Sequence, residues 1–345
     1  MLKAVGFVCA APGALELREI TLAEPGVDGA VVRIAGCGVC HTDLHIARGE
    51  VTRVELPLTL GHEVGGWIDT AGSEATDALD QVGLASGDAV LVFGGWGCGA
   101  CTDCLAGEEQ RCPTGRSPGF QLDGGYAEAL LVQHPRHLVA LGDLDPVRAA
   151  PLADAGVTPY RAVRRAEPWF EPGARVAVIG AGGLGQFAIQ YLRGRPNLRM
   201  VVAEPNPERS VLALKLGADA VIAAAEPGSV RDALGGAPDV IFDFVGSAAT
   251  LAQASAAVAS DGLVMLVGEA GGRLAFGFNA QPETWLTTTV WGSLADLRAV
   301  VELASRGAID WSVETMPLPD AQRALDRLAG GTVAGRLVLV PGRTK

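Results

Sequence analysis

Val176-Ala177-Val178-Ile179-Gly180-Ala181-Gly182-Gly183-Leu184-Gly185 is the stretch that decides the fold. Four apolar residues in a row make a strand buried on both faces, which belongs in a parallel sheet covered by helices on either side. The glycines after it fit G-x-G-x-x-G, and Leu184 to Arg193 carries the periodicity of a helix. Working outward, the alternation repeats. Met200 to Ala203 precedes a helical stretch from Pro207 to Leu216, Ala220 to Ile222 follows, Val240 to Phe244 precedes Ala248 to Ala259, and Leu263 to Val267 closes the series. The pattern predicts an α/β fold with a doubly wound parallel sheet. Val176 to Leu192 is uncharged and approaches the length of a membrane span, but four glycines interrupt it, so a buried strand, loop and helix explain it better.

The glycine loop gains meaning from its surroundings. Glycines let a backbone approach a pyrophosphate, and the helix that follows offers N–H groups and the positive end of its dipole. Glu204 stands 24 residues after Gly180, at the end of the next strand, where a carboxylate accepts hydrogen bonds from adenosine ribose hydroxyls. Such a carboxylate repels a 2′-phosphate, so NAD(H) is expected over NADP(H), with Arg209 placed to soften the discrimination. The alternative is a tight strand-to-helix turn without a ligand. Phe244-Val245-Gly246 and Val267-Gly268 end strands at the carboxyl edge, where open α/β sheets bind ligands, although core packing explains Phe244 and Val267 equally well.

Upstream the texture differs. Val31 to Ile34, Val64 to Ile68 and Asp88 to Val92 are strand-length runs separated by Pro57, Gly61, Gly72, Gly87, Gly94 and Gly95, which reads as a compact, mostly β domain with few helices. A chain of 345 residues exceeds what one core supports, so two domains are expected. Apolar residues at 49% against charged ones at 19% argue for a well-buried globular protein. The net charge of −12 opposes binding to nucleic acid or anionic membranes. Met1 to Val5 runs straight into a strand-like pattern without the features of a signal peptide, so a cytoplasmic, reducing location is expected, in which clustered cysteines point to metal rather than disulfides.

Cys98-x-x-Cys101-x-x-Cys104-x7-Cys112 places four thiols within fifteen residues, enough to surround one tetrahedral ion and leave it no open position. A structural zinc is expected there. The other potential ligands are dispersed: Cys40 and His62 lie in two different loops, Thr42 carries a hydroxyl beside the first, and Asp43 can accept the N–H of a ligating imidazole and so fix its tautomer.

With these motifs in view, the chain resembles the zinc-dependent alcohol dehydrogenases of the medium-chain dehydrogenase/reductase superfamily over nearly its whole length. The likeness is carried by Gly38-Val39-Cys40-His41-Thr42-Asp43-Leu44-His45, Gly61-His62-Glu63, the four cysteines, Gly180 to Gly185, and Gly335-Arg336 before the final strand. It implies a GroES-like catalytic domain over residues 1–155 with its zinc lobe at about 96–113, a Rossmann domain over 156–290, and a segment over 291–345 that rejoins the first. It also implies a catalytic zinc held by Cys40, His62 and a third residue in Pro151-Leu152-Ala153-Asp154. Such enzymes commonly have a second Cys there, and this chain has Asp154. Either Asp154 ligates zinc, or the metal is lost and Asp154 caps the next helix. Charge counting favours ligation, because thiolate, imidazole and carboxylate sum to the same −2 as two thiolates and an imidazole. A bacterial branch that favours secondary alcohols looks similar here.

By the same resemblance, Thr42 takes up the substrate's hydroxyl proton and passes it through the nicotinamide ribose to His45, which delivers it to water. Glu63 stands beside the metal with occasional direct approach, Thr158 nears the nicotinamide, His41 and Arg336 meet the pyrophosphate, and Arg209 the adenosine ribose. Two Zn²⁺ per chain and NAD(H) are the cofactors implied. Trp96, Phe120, Trp285 and Trp291 are candidates for lining an alcohol or ketone pocket. The expected activity is reversible oxidation of alcohols, secondary ones above all, in a homo-oligomer of two or four copies. A polyol dehydrogenase, for which Asn279, Gln281 and Thr287 are the few polar candidates, and a non-catalytic zinc- and nucleotide-binding protein are the alternatives.

Overall fold

The computed structural model describes residues 1–51, 53–275, 277 and 281–342. The chain forms two compact units, one of Met1–Val157 with Gly292–Lys345, the other of Thr158–Trp291.

The second unit is built on a six-stranded parallel sheet. Its order is Ala220–Ile222, Arg199–Ala203, Arg175–Ile179, Val240–Asp243, Leu263–Leu266 and Trp285–Thr288. The order reverses at Arg175–Ile179, the strand that feeds the glycine loop, and a switch point of this kind leaves a crevice at the carboxyl ends of the strands. Ala177, Ile179, Val201, Ile241 and Val264 pack with Val230, Leu234, Ala254 and Val258 into one of its cores. Helices at Gly185–Arg193, Pro207–Leu216 and Ala248–Ala257 lie within two residues of where periodicity puts them. The helix Pro227–Leu234 and the strand Trp285–Thr288 are not visible as patterns. That strand is mostly exposed, so it lacks the apolar alternation that marks a covered one.

The first unit is mostly antiparallel β. Its larger sheet runs Val313–Pro317, Arg336–Val340, Ala30–Gly38, Glu63–Ala71, Ala89–Val92 and Leu138–Ala140, with Ala129–Val132 paired beside Ala30–Gly38. A smaller sheet joins Ala14–Leu22, Leu2–Ala11 and Leu58–Thr59. One core holds Phe7, Val32, Ile34, Val64, Ile68, Val90 and Tyr126 from the N-terminal part together with Met316, Leu325, Leu337 and Leu339 from the end of the chain. The C-terminal segment is therefore part of this unit because its apolar face completes that core. Helices are more numerous here than the sequence suggests. Ser73–Gln81 buries only Ala75 and Leu79, too few for a readable stripe.

Candidate active site

Cys40 caps the N-terminus of the short helix His41–Ala47, and its backbone N–H donates to Asp43 Oδ2 at 3.0 Å. His62 immediately precedes the strand Glu63–Ala71, and Asp154 follows the 3-10 turn Ala150–Ala153. The fold brings all three together. Cys40 Sγ lies 3.8 Å from Asp154 Oδ2, His62 Nε2 lies 3.5 Å from the same oxygen, and one ligand atom each from Cys40, His62, Glu63 and Asp154 all lie within 4.8 Å of one another. Bonds of 2.0–2.3 Å to a tetrahedral zinc place neighbouring donors about 3.3–3.8 Å apart. The donor set therefore fits a zinc ion.

Charge supports the same conclusion. Burial pushes the Cys40 thiol up, and Asp154 adds to the effect. Burial also raises the Glu63 carboxyl to about 7, against the pull of the Arg336 guanidinium 2.5 Å away. Burial opposes protonation of His62, yet Asp43, Asp154 and Cys40 together lift it well above the ordinary histidine value. These are the marks of a buried anionic group short of a cation, and a divalent ion would reverse each shift. Glu63 Oε2 is buried without a hydrogen-bond partner among the described residues. Gly38 leaves room for that carboxylate, with which an added Cβ would collide.

Asp43 organises the site from beneath. Wholly buried, its carboxylate accepts from Cys40 N–H at 3.0 Å, Gly61 N–H at 3.2 Å, the Tyr126 hydroxyl at 3.0 Å, and lies 3.1 Å from His62 Nδ1. The last contact leaves Nε2 turned towards Asp154, able to ligate a metal were one bound. Nothing in the sequence marks Tyr126 as part of this group, because it reads as one more aromatic of the core. Thr42 Oγ1 lies 3.8 Å from Cys40 Sγ, and half-buried His45 places Nδ1 2.5 Å from Glu50 Oε2. His41 is exposed at the start of its helix.

Arg336 is 4% exposed, paired with Glu63 and donating to the Val39 carbonyl at 3.3 Å. The buried Glu63 carboxylate and the buried guanidinium thus offset each other's charge. Trp96 is buried in the core of the first unit. It donates to the Phe93 carbonyl, and its ring stacks on His137 with centroids 5.3 Å apart. Phe120 does lie near the metal ligands, its ring 5.3 Å from that of His62. Trp285 is 57% exposed and meets Trp169 edge-on, while Trp291 is half-buried with φ of 50°. Gln281 and Thr287 are half-buried, and Asn279 lies outside the described residues.

The four cysteines converge as well. Sγ separations are 3.5 Å for Cys101 and Cys104, 3.8 Å for Cys101 and Cys112, and 3.9 Å for Cys98 and Cys104. Four thiolates around zinc stand about 3.8 Å apart. Backbone N–H groups of Cys98 and Cys101 point at the sulfurs of Cys112 and Cys98, each at 3.3 Å. Although burial works against it, the Cys98 N–H and Thr114 bring the Cys112 thiol down to about 6. The lobe is fixed to the sheet by Glu109, which accepts from Gly97 N–H at 3.0 Å and meets His137 Nε2 at 3.3 Å.

In the second unit the glycines divide the work. Gly180 adopts φ of 88°, which turns the chain out of the strand. At Gly185 a Cβ would overlap the Gly180 carbonyl, so this glycine lets helix and loop pack closely, whereas Gly182 has open space before it. Gly183 and Leu184 are half-buried and lead into the helix Gly185–Arg193, whose N-cap is Leu184. Glu204 accepts from Ala181 N–H at 2.8 Å and Asn206 N–H at 2.9 Å, so it braces the glycine loop. Arg209 lies in the first turn of the helix capped by Asn206. Asp243, which the sequence left as a plain strand residue, holds the Val245 and Gly246 N–H groups, each at 2.9 Å, and so shapes the loop after Phe244. Val267 and Gly268 donate to the Asp243 carbonyl, and Thr158 is buried on the helix Val157–Arg165.

The chain is similar to known proteins over nearly its whole length. Residues 26–143 match the model of the alcohol dehydrogenase GroES-like domain and residues 183–306 that of the zinc-binding dehydrogenases. The chain is 35% identical to an NAD-dependent alcohol dehydrogenase of Sulfurisphaera tokodaii, covering 95% of this chain and 96% of that protein. It is also 35% identical to a D-arabinose 1-dehydrogenase (NADP(+)) of Saccharolobus solfataricus, over 95% of this chain and 94% of that one. The crystal structure of the alcohol dehydrogenase from Aeropyrum pernix matches 98% of this chain and 100% of that chain with a TM-score of 0.89 at 34% identity. Its GroES-like and Rossmann-type units, with these sequence matches over nearly the full length, mean that the chain belongs to the zinc-type medium-chain dehydrogenase/reductases, the family of the zinc-dependent alcohol dehydrogenases.

Proposed function

We propose that this enzyme interconverts alcohols, secondary alcohols foremost, with ketones or aldehydes, using two Zn²⁺ per chain and NAD(H). The observation that carries the reading is the spacing of Cys40, His62 and Asp154, which suits three ligands of one tetrahedral ion with a fourth position left for substrate. Zinc held there supplies Lewis acidity, which makes an alcohol's hydroxyl proton easier to remove. The chain's residues do the rest. Asp43 holds the His62 ring, Thr42 receives the hydroxyl proton, and His45 passes it towards water with Glu50 beside it. Glu63 balances Arg336 and supplies a further carboxylate near the ligands. His41 and Thr158 are assigned to the cofactor. Glu204 accepts from the ribose, and its charge favours NAD⁺ over NADP⁺. The relative that acts on D-arabinose makes sugars and polyols the comparison class.

Initial rates with NAD⁺ across primary, secondary, aryl and polyol alcohols test the assignment. Secondary alcohols should give the highest kcat/KM, and a clear preference for polyols would replace it. We further infer a homo-oligomer, a dimer or tetramer, because the sheet of the second unit ends in a strand whose Trp285 and Leu286 are 57% and 37% exposed and whose outer edge is unpaired among the described residues. Sedimentation of the zinc-loaded protein checks this. All seven cysteines are free, which suits a reducing compartment such as the cytoplasm; no helix among the described residues is long and apolar enough to cross a membrane.

A further inference from the structure

We propose that Tyr126 is a positioning residue for the metal-binding imidazole of His62, acting through Asp43; the inference rests on the reading of Cys40, His62 and Asp154 as zinc ligands. Tyr126 is fully buried, and its hydroxyl donates to Asp43 Oδ2 at 3.0 Å, while Asp43 Oδ1 faces His62 Nδ1 at 3.1 Å. The two oxygens thus divide their work. Tyr126 and the Cys40 N–H hold one, so the other stays turned towards the imidazole.

The backbone reinforces the same link. Gly124, Gly125 and Tyr126 donate N–H groups to the carbonyls of Thr59, Gly61 and Leu60, each at 2.8 Å, along the segment that delivers His62. The Phe7 N–H donates to the Tyr126 carbonyl at 2.7 Å, which ties this segment to the first strand. Gly61, at φ of 96°, lies against the Tyr126 ring so closely that a Cβ would collide with it. A phenylalanine would fill the same volume and keep every backbone contact. It would remove only the hydroxyl, which makes its one hydrogen bond among the described residues to Asp43, and a buried carboxylate that loses a donor holds its orientation less firmly.

The test compares Tyr126→Phe with wild type as full-length protein. Zinc should leave the Cys40 site about tenfold more readily in competition with a chelator, the lower end of what partners of metal ligands contribute. The visible bands of Co²⁺ loaded at that site should shift, while the four-cysteine zinc stays as in wild type. In an Asp43→Asn background the same change should add nothing further, because the effect passes through the carboxylate. Unchanged affinity and cobalt bands, or equal loss of both metals, would overturn the proposal. If Tyr126→Phe fails to fold, 3-fluorotyrosine at position 126 keeps ring and hydroxyl but strengthens the donor; it should move the ¹⁵N resonance of His62 Nδ1, and no movement would count against the link. Failure of the underlying site assignment looks different, since wild type would then carry no zinc sensitive to Asp154→Ala.

Discussion

The Arg336 guanidinium lies 2.5 Å from Glu63 Oε1, joining two residues 273 positions apart beside the metal ligands. Neither side chain reaches water, at 5% and 0% exposed, so removing one partner strands the other's charge. Arg336→Met should cost about 3–5 kcal/mol in urea unfolding, and adding Glu63→Gln should recover much of it. A single variant as stable as wild type would show that the pair is not needed for stability.

Metal content separates the two sites. Asp154→Ala should retain the zinc of the four-cysteine lobe and lose the other, so elemental analysis should fall from two ions per chain to one. Asp154→Cys restores a thiolate of the same formal charge and should keep both. Two ions in Asp154→Ala would remove Asp154 from the ligand set.

The proposed proton relay makes turnover depend on a hydroxyl at position 42. Thr42→Val preserves shape but has no proton to pass on, so kcat should drop by about 10²–10⁴ while zinc content and NAD⁺ binding persist. Steady-state rates with parallel cofactor titration decide the matter, and near-normal turnover would discard the relay.

The glycine loop predicts a contrast between neighbours. Gly182→Ala meets nothing within 4 Å and should fold normally, yet its methyl occupies space reserved for a pyrophosphate and should weaken NAD⁺ binding. Gly185→Ala overlaps the Gly180 carbonyl and should destabilise the protein itself. Glu204→Ala removes both the ribose partner and the brace on Ala181, so the preference for NAD⁺ over NADP⁺ should narrow as NAD⁺ affinity falls. Thermal midpoints and cofactor Kd values read these effects separately.

Acid should loosen the zinc lobe's attachment. Burial, with Arg136 nearby, holds His137 below the ordinary histidine range, so the folded state binds fewer protons there than the unfolded chain. Glu109 is also depressed: burial pushes it up, but His137, Arg136 and the Gly97 N–H outweigh that. Both shifts have the same sign. Stability is fully present above about pH 6.5, falls as His137 is driven towards its lower folded value at up to about 1.4 kcal/mol per pH unit, and falls again below about pH 4.3 as Glu109 is protonated. His137→Gln should flatten the first of these segments in pH-dependent unfolding.

Much of the site was legible because its determinants are local. The glycine loop, its acidic partner and the four cysteines each lie within a short run of chain, where spacing alone limits what they can hold. The parallel sheet was readable from its apolar runs, and Asp43 from its place beside Cys40. Exposed elements such as Ser73–Gln81 and Trp285–Thr288 left too little hydrophobic signal to read.

By itself, then, the sequence marked the division into two units, the four-cysteine lobe and the glycine turn, because periodicity and close spacing act over a few residues. Only the tertiary structure decided that Arg336 serves Glu63, that Trp96 is core, and that Tyr126 reaches Asp43 across 83 positions. Those choices depend on which buried polar groups the folded sheets bring within hydrogen-bonding distance, and a buried donor or charge takes the partner that packing provides.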